Sequence, residues 1–440
     1  MIDVTKLLQR TVSGALVAAA LVTTLGGAAI AAPHACPEPL TDTASCYSGQ
    51  DADGAYYTIA VPKRWNRSLV VYAHGGPGFT ATAEEPAADL AEWAVLVEKG
   101  YAWVASSYRR GGYGVRMAAA DTENARKTFV ETIGRPSRTY LHGQSWGGNV
   151  AAKAAEVYPR SWDGVLLTNG LLAGGSRGYD ARVDLRAVYQ YYCRNLPGPA
   201  WQGLPKDSTL TPDDVQAGLE ACTGKAGKRT PAQQRNLDDI LAVTRLPERT
   251  LDVHLQYATF LFQDIVWKRL GGRNPFSNQG VRYTGSHDDR ALNAGIERFA
   301  ADPTARRDLS YDSDLTGQAR MPVLTLHAIG DPQVFVENES AYRAHRLVQT
   351  FTTETEHGGL ATGEYVASID ALDAWVRTGR APSPRSIAAS CTGTCFYDPG
   401  YDPAPFATKV RPRPGGTTWP AMTAAQEHAW SRIDGVGIAP

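Results

Sequence analysis

Ser145 stands in Gly143-Gln144-Ser145-Trp146-Gly147-Gly148, between a short apolar stretch and a segment of helical character. Glycines on both sides of a serine let the chain turn sharply from strand to helix, so that the hydroxyl projects from a strained apex. The first helical amide, that of Trp146, then points at the reacting atom. A second segment, His74-Gly75-Gly76-Pro77-Gly78, follows an apolar run directly. Acyl transfer builds negative charge on a carbonyl oxygen, and backbone N–H groups fixed in such a loop stabilise it. Pro77 has no N–H, so the donors expected are Gly76, with Gly75 second, together with Trp146. Gly143 and Gly147 support the turn, and His74 is the residue that could brace the loop.

These groups need a scaffold that presents strand ends. Residues 56–61 (YYTIAV) and 68–74 (SLVVYAH) read as strands, followed by a helix over 86–99 and a strand over 101–108. A helix over 115–133, a strand over 139–143, a helix over 146–158 and a strand over 164–169 complete the first part. Strands alternating with helices imply an α/β fold with a mainly parallel sheet covered on both faces. From 170 to 318 the alternation stops, and an aromatic, mostly helical stretch reads as a cap inserted into the sheet domain. It returns with a strand over 323–328, a helix over 337–347, a strand over 351–355 and a helix over 366–378. Nine of the 27 prolines fall in the last 60 residues, so 380–440 reads as an irregular tail.

The HGGPG loop and the GQSWGG turn together resemble the α/β-hydrolase fold, with the first as oxyanion loop and the second as nucleophile elbow. The resemblance covers residues 56–377 apart from the cap. It implies core segments at 32–169 and 319–379 around the 170–318 insertion, and a chain order of serine, acid, histidine. Asp331, in Ile329-Gly330-Asp331-Pro332, and His357, in Glu356-His357-Gly358-Gly359, occupy the positions that order requires. A serine hydroxyl is a poor nucleophile at neutral pH, so His357 would take its proton and pass it to the leaving group. Asp331 would hold the imidazole in the right tautomer. Glu337, Glu354 and Glu356 lie nearby in sequence and read as solvated surface carboxylates. Of the other histidines, all except His74 read as structural or surface residues.

Forty-four Lys and Arg against 45 Asp and Glu leave a net charge of −1, so no basic excess exists to neutralise a row of phosphates, and nucleic acid is not an expected partner. Lys6 and Arg10, an Ala/Leu/Val-rich run over 14–32 and small residues at Ala29-Ile30-Ala31 describe a signal peptide spanning 1–31, with export and no stable membrane insertion after cleavage. The six cysteines suit an oxidising compartment. They fall into local couples, Cys36 with Cys46, Cys193 with Cys222 and Cys391 with Cys395. Neither cofactor nor metal is expected.

The substrate is thus a small ester or peptide. The combination of HGGPG with GxSWGG also resembles the proline iminopeptidase and tripeptidyl aminopeptidase branch, whereas the segment leading into the loop, 60–74, looks more like secreted ester hydrolases. Carboxylic ester hydrolysis is the favoured reading, amino-terminal peptide cleavage the alternative and a non-catalytic binding protein the third. Cap carboxylates (Asp213, Asp214, Glu220, Glu248, Asp252, Asp264) converging near Ser145 would favour the peptidase, and an apolar pocket there would favour the esterase.

Overall fold

The computed structural model describes residues 33–406; the segment 1–31 expected to be a signal peptide and the tail beyond 406 lie outside them. Eight strands form one sheet: β1 (Ala44–Gln50), β2 (Tyr56–Pro62), β3 (Ser68–Ala73), β4 (Ala102–Ser106), β5 (Arg138–Gln144), β6 (Gly164–Thr168), β7 (Val323–Ala328) and β8 (Leu347–Thr352). Their spatial order is β1-β2-β4-β3-β5-β6-β7-β8. β1 and β2 pair antiparallel, as do β2 and β4, and every other neighbouring pair is parallel. That order, with an antiparallel start and a parallel remainder, is the α/β-hydrolase fold.

The central strands read as unbroken apolar runs because both sheet faces are covered. Along β3, Leu69 and Val71 join one hydrophobic cluster while Val70 and Tyr72 join another on the opposite face, the period of two that a pleated strand imposes. The first face is covered by α3 (Val115–Thr132) and α4 (Trp146–Val157). On the second lie α1 (Glu85–Glu92) and α2 (Ala94–Glu98), together with α13 (Thr362–Thr378) and α14 (Pro384–Ser390).

Between β6 and β7, residues 169–322 hold α5 (Gly175–Gly178), α6 (Asp180–Cys193), α7 (Pro212–Thr223), α8 (Pro231–Thr244), α9 (Leu251–Gln256), α10 (Asp289–Gly295) and α11 (Pro303–Ser313), and no strand among the described residues. Thr211 and Thr230 cap α7 and α8, each with proline at the start of the helix and a reciprocal bond from the third residue. α9 continues into two π-helical segments, Tyr257–Leu261 and Asp264–Arg269. Asp264 fastens this stretch to the sheet domain: it accepts from Tyr113 N at 2.8 Å and from Arg269 Nε at 3.0 Å. Disulfides join Cys36 to Cys46, Cys193 to Cys222 and Cys391 to Cys395.

Several elements differ from expectation. β1 was not foreseen; it is held to β2 by a turn in which Asp51 Oδ1 accepts from Asp53 N and Ala55 N, and Cys46 anchors it to the preceding loop. The helix expected over 86–99 breaks at Trp93, whose buried ring takes the position between α1 and α2. The helix expected over 337–347 is one turn only, α12 (Asn338–Ala341), and β8 begins at Leu347 rather than 351. Glu339 is the reason: its buried carboxylate takes Thr325 Oγ1 and Gln349 Nε2 and meets His327 Nδ1, so side-chain bonds to the sheet replace a longer helix. The tail is not wholly irregular either. Ser383 caps α14, and Tyr397 bridges to Thr352 at the edge of β8.

Candidate active site

Ser145 is the hinge between β5 and α4, at φ 60° and ψ −128°, a conformation an L-residue adopts only when the surroundings impose it. Its N–H donates to Thr168 O at 3.1 Å, and its carbonyl accepts from Gly148 and Leu171 at 3.0 and 2.9 Å. The flanking glycines are demanded by close approach: a Cβ on Gly143 would lie 2.2 Å from Gly147 O, and one on Gly147 would lie 2.2 Å from Ala73 O. Trp146 supplies the first amide of α4, a donor that a helix leaves without an intrahelical acceptor.

The loop after β3 faces the same place. Gly76 adopts φ 112° and, with Ser145 and Trp146, lines one pocket. Gly75 packs against the serine as well, since a Cβ added there would stand 3.9 Å from Ser145 Cβ. His74 Nδ1 lies 2.9 Å from both carboxylate oxygens of Asp89 on α1, and its carbonyl accepts from Tyr108 Oη at 2.8 Å. Burial works to lower the His74 pKa, but the Asp89 carboxylate beside it, helped by Glu85 and Glu92, raises it to about 9. A charged imidazolium therefore sits at the root of this loop at neutral pH.

Asp331 follows β7 and His357 follows β8. His357 Nδ1 and Asp331 Oδ2 are 2.6 Å apart, while Asp331 Oδ1 accepts from Gln333 N and Val334 N at 2.8 and 2.9 Å. Burial pushes the Asp331 carboxyl up, but the charge and hydrogen bond of His357, with His327 and the Val334 N–H, outweigh it and hold the pKa below the usual value. An ionised Asp331 acts as acceptor, so Nδ1 of His357 carries the proton and Nε2 the lone pair.

The His357 loop is tied to the serine turn through its backbone. Asn169 Nδ2 donates to His357 O at 2.5 Å, and Gln144 Nε2 reaches the same oxygen at 3.4 Å. Asn169 Oδ1 also accepts from Ala328 N at the end of β7, at 2.8 Å. Asn169 has φ 45°, a left-handed conformation that asparagine tolerates, and its place at a strand end before Gly170 is the signal that could have marked it. The carboxylates expected on the surface are instead buried: Glu337, Glu354 and Glu356 are 2%, 7% and 1% exposed. Burial raises Glu356 to about 7 against the opposing pull of Arg249, 3.5 Å away.

Around Ser145 the cap closes tightly. Leu171, Tyr179, Arg182 and Tyr257 of the cap, with Gln333 and Val334 of the loop after β7, complete a narrow pocket with a cavity volume of about 10 Å³. A cavity of about 560 Å³ adjoins it, with Tyr257 and Gln333 forming part of both walls. Of the six cap carboxylates, Asp213 and Asp214 are exposed on α7 and Asp264 is committed to its tether. Glu220, Glu248 and Asp252 line the larger cavity, but each already has a partner: Lys225 at 3.0 Å, Arg229, and Gln256 at 3.0 Å. Among the described residues no group of three His, Cys, Asp or Glu could hold a metal ion.

No family model matches the chain, and no curated protein matches it. It is similar in structure to an esterase from Aspergillus oryzae, at 15% identity over 77% of this chain and 80% of that one, TM-score 0.40. Candida antarctica lipase A in its closed state is similar at 12% identity over 84% and 83%, TM-score 0.39. Feruloyl esterase B from Aspergillus oryzae is similar at 15% identity over 79% and 84%, TM-score 0.37.

Proposed function

We propose that this protein is a secreted serine hydrolase that cleaves carboxylic esters through an acyl-enzyme. The observation that carries the reading is the hydrogen-bonded pair Asp331–His357 docked by Asn169 and Gln144 onto the turn that presents Ser145. His357 Nε2 takes the Ser145 proton as Oγ attacks the ester carbonyl; the tetrahedral oxyanion is met by the amides of Gly76 and Trp146, with Gly75 behind. Collapse expels the alcohol, protonated by His357, and leaves the acyl group on Ser145. Water, deprotonated by His357, then attacks the acyl carbonyl and releases the acid. His74, held by Asp89 through its ring and by Tyr108 through its carbonyl, braces the loop that carries the oxyanion amides.

The wall next to Ser145 supports an ester over a free amino terminus. It mixes Leu171, Val334 and aromatic rings with the polar Gln333, so it is not the apolar pocket expected, but it holds no carboxylate and contains the cation of Arg182, which repels an ammonium group. One observation favours the aminopeptidase as a second reading: Glu220, Glu248 and Asp252 converge on the adjoining cavity. Turnover of p-nitrophenyl acyl esters beside amino-terminally free Pro- and Ala-arylamides, each with Ser145→Ala as control, separates the two. Ester cleavage without arylamide cleavage is expected. Ser145-dependent release of arylamine from free but not blocked termini would replace the esterase reading. Residual activity in a folded Ser145→Ala protein equal to wild type would remove the serine from the mechanism.

Export agrees with the three disulfides, and no helix among the described residues is long and apolar enough to cross a membrane.

A further inference from the structure

Arg182, on α6, lines the Ser145 pocket, and among the described residues none of the ion pairs of the protein includes its guanidinium. Arg182 is part-buried in the pocket wall, where a charge-assisted bond to an anionic group on a ligand is stronger than at the open surface. What Arg182 has instead are partners that orient it. Its Nε donates to His254 Nδ1 at 3.4 Å, its Nη2 donates to Gln333 O at 3.3 Å, and its plane lies over Tyr257 and Tyr179, at 4.8 and 5.3 Å from the ring centroids.

His254 is built to play acceptor here. Its Nε2 donates to Pro332 O at 2.8 Å, an oxygen that can only accept, which leaves the lone pair on Nδ1. Burial, reinforced by the Arg182 charge, pushes its pKa down to about 3, so it stays neutral. Phe335 stacks on the ring at 5.7 Å and fixes its plane. The His254 bond thus takes the Nε side of the guanidinium and the Gln333 carbonyl takes one hydrogen of Nη2. Among the described residues the Nη1 donors have no protein acceptor, and neither Tyr179 nor Tyr257 offers them one in the stacked geometry.

We propose that Arg182 is a specificity-determining residue that binds an anionic group, foremost a carboxylate, on the ester cleaved at Ser145. The preferred substrate is then a monoanionic ester, such as the half-ester of a dicarboxylic acid. The inference rests on the esterase reading above. A charge-assisted bond from arginine to a carboxylate corresponds to a preference of about 10- to 100-fold in kcat/KM over the neutral isostere.

The test compares kcat/KM for p-nitrophenyl hemiglutarate, anionic on the acyl side, and a butyrate ester of 4-hydroxybenzoate, anionic on the leaving side, each against its neutral counterpart. Wild type, Arg182→Gln and Arg182→Lys are measured at low and at high salt. Wild type is expected to favour one anionic member at least tenfold, chiefly through KM, with the preference shrinking in salt. Arg182→Gln is expected to lose at least tenfold more on the anionic than on the neutral ester, and Arg182→Lys to recover part of the difference. Which arm shows the preference tells whether the anion belongs to the acid or the alcohol. Equal rates on charged and neutral esters in wild type, or an equal loss on both in Arg182→Gln, would overturn the proposal and leave the esterase reading intact. Absence of Ser145-dependent turnover on the neutral esters would instead remove that reading itself.

Discussion

Asn169 and His74 are the residues whose roles are least obvious and most testable. Asn169 touches no reacting atom; it holds the carbonyl of His357 and the end of β7 together. Asn169→Ala is expected to lower kcat by about 10- to 100-fold with little change in KM, because the imidazole loses its placement rather than the substrate its pocket. An unchanged kcat in the variant would make that bond purely structural. Asp331→Asn removes the charge that fixes the His357 tautomer and is expected to cost about three to four orders of magnitude in kcat. For His74, the folded pKa of about 9 lies above the ordinary value near 6.5. Its contribution to stability is therefore complete below about pH 6.5 and disappears as pH rises through 9, amounting to at most about 3 kcal/mol. Melting temperatures recorded from pH 6.5 to 9.5 should fall more steeply in wild type than in His74→Gln; parallel curves would mean that the pair does not change charge in this range.

At the level of elements, the cap is pinned at a few places. Cys193, at the end of α6, is tied to Cys222 on α7 across a separation of 29 residues, and α6 also carries Arg182. Cys391 and Cys395 close a loop with a separation of four. Longer loops gain more from a crosslink in the chain-entropy account, so serine replacement of the first couple is expected to destabilise by about 2–4 kcal/mol and to impair turnover. The same replacement at the second couple should do much less, and calorimetry on the two double variants decides. Thr230→Ala removes an exposed capping box from α8 and is expected to cost about 1 kcal/mol with no effect on the active site.

For the whole molecule, the decisive fact is that one hydrophobic cluster crosses from the sheet into the cap. Val150 and Leu167 of the sheet domain belong to the same cluster as Val183, Phe262 and Phe276 of the insertion. Cap and core are therefore expected to unfold together, with tryptophan fluorescence and far-ultraviolet circular dichroism giving superimposed urea transitions. Two separated transitions would mean that the cap opens as an independent unit. The same continuity brings the cap residues Tyr179 and Tyr257 against the Ser145 pocket, where they form part of its wall.

Local backbone conformation was legible from the chain because it is enforced over a few residues. The elbow needs Gly143 and Gly147 to avoid backbone collisions, the loop after β3 needs Gly76 at positive φ, and strands buried on both faces must be apolar throughout. The cysteine couples were legible for the same reason, each closing a short span. What depends on distant segments meeting was not legible. Glu337, Glu354 and Glu356 look like surface carboxylates until the tertiary fold buries them. Glu339 ends a helix by reaching strands that lie 14 and 10 positions away. Arg182 and His254 are 72 residues apart, and only the folding of α6 and α9 over the end of β7 makes them neighbours at the mouth of the Ser145 pocket. Periodicity and spacing report what the backbone must do locally; which side chains then share a wall is decided by the packing of the cap on the sheet.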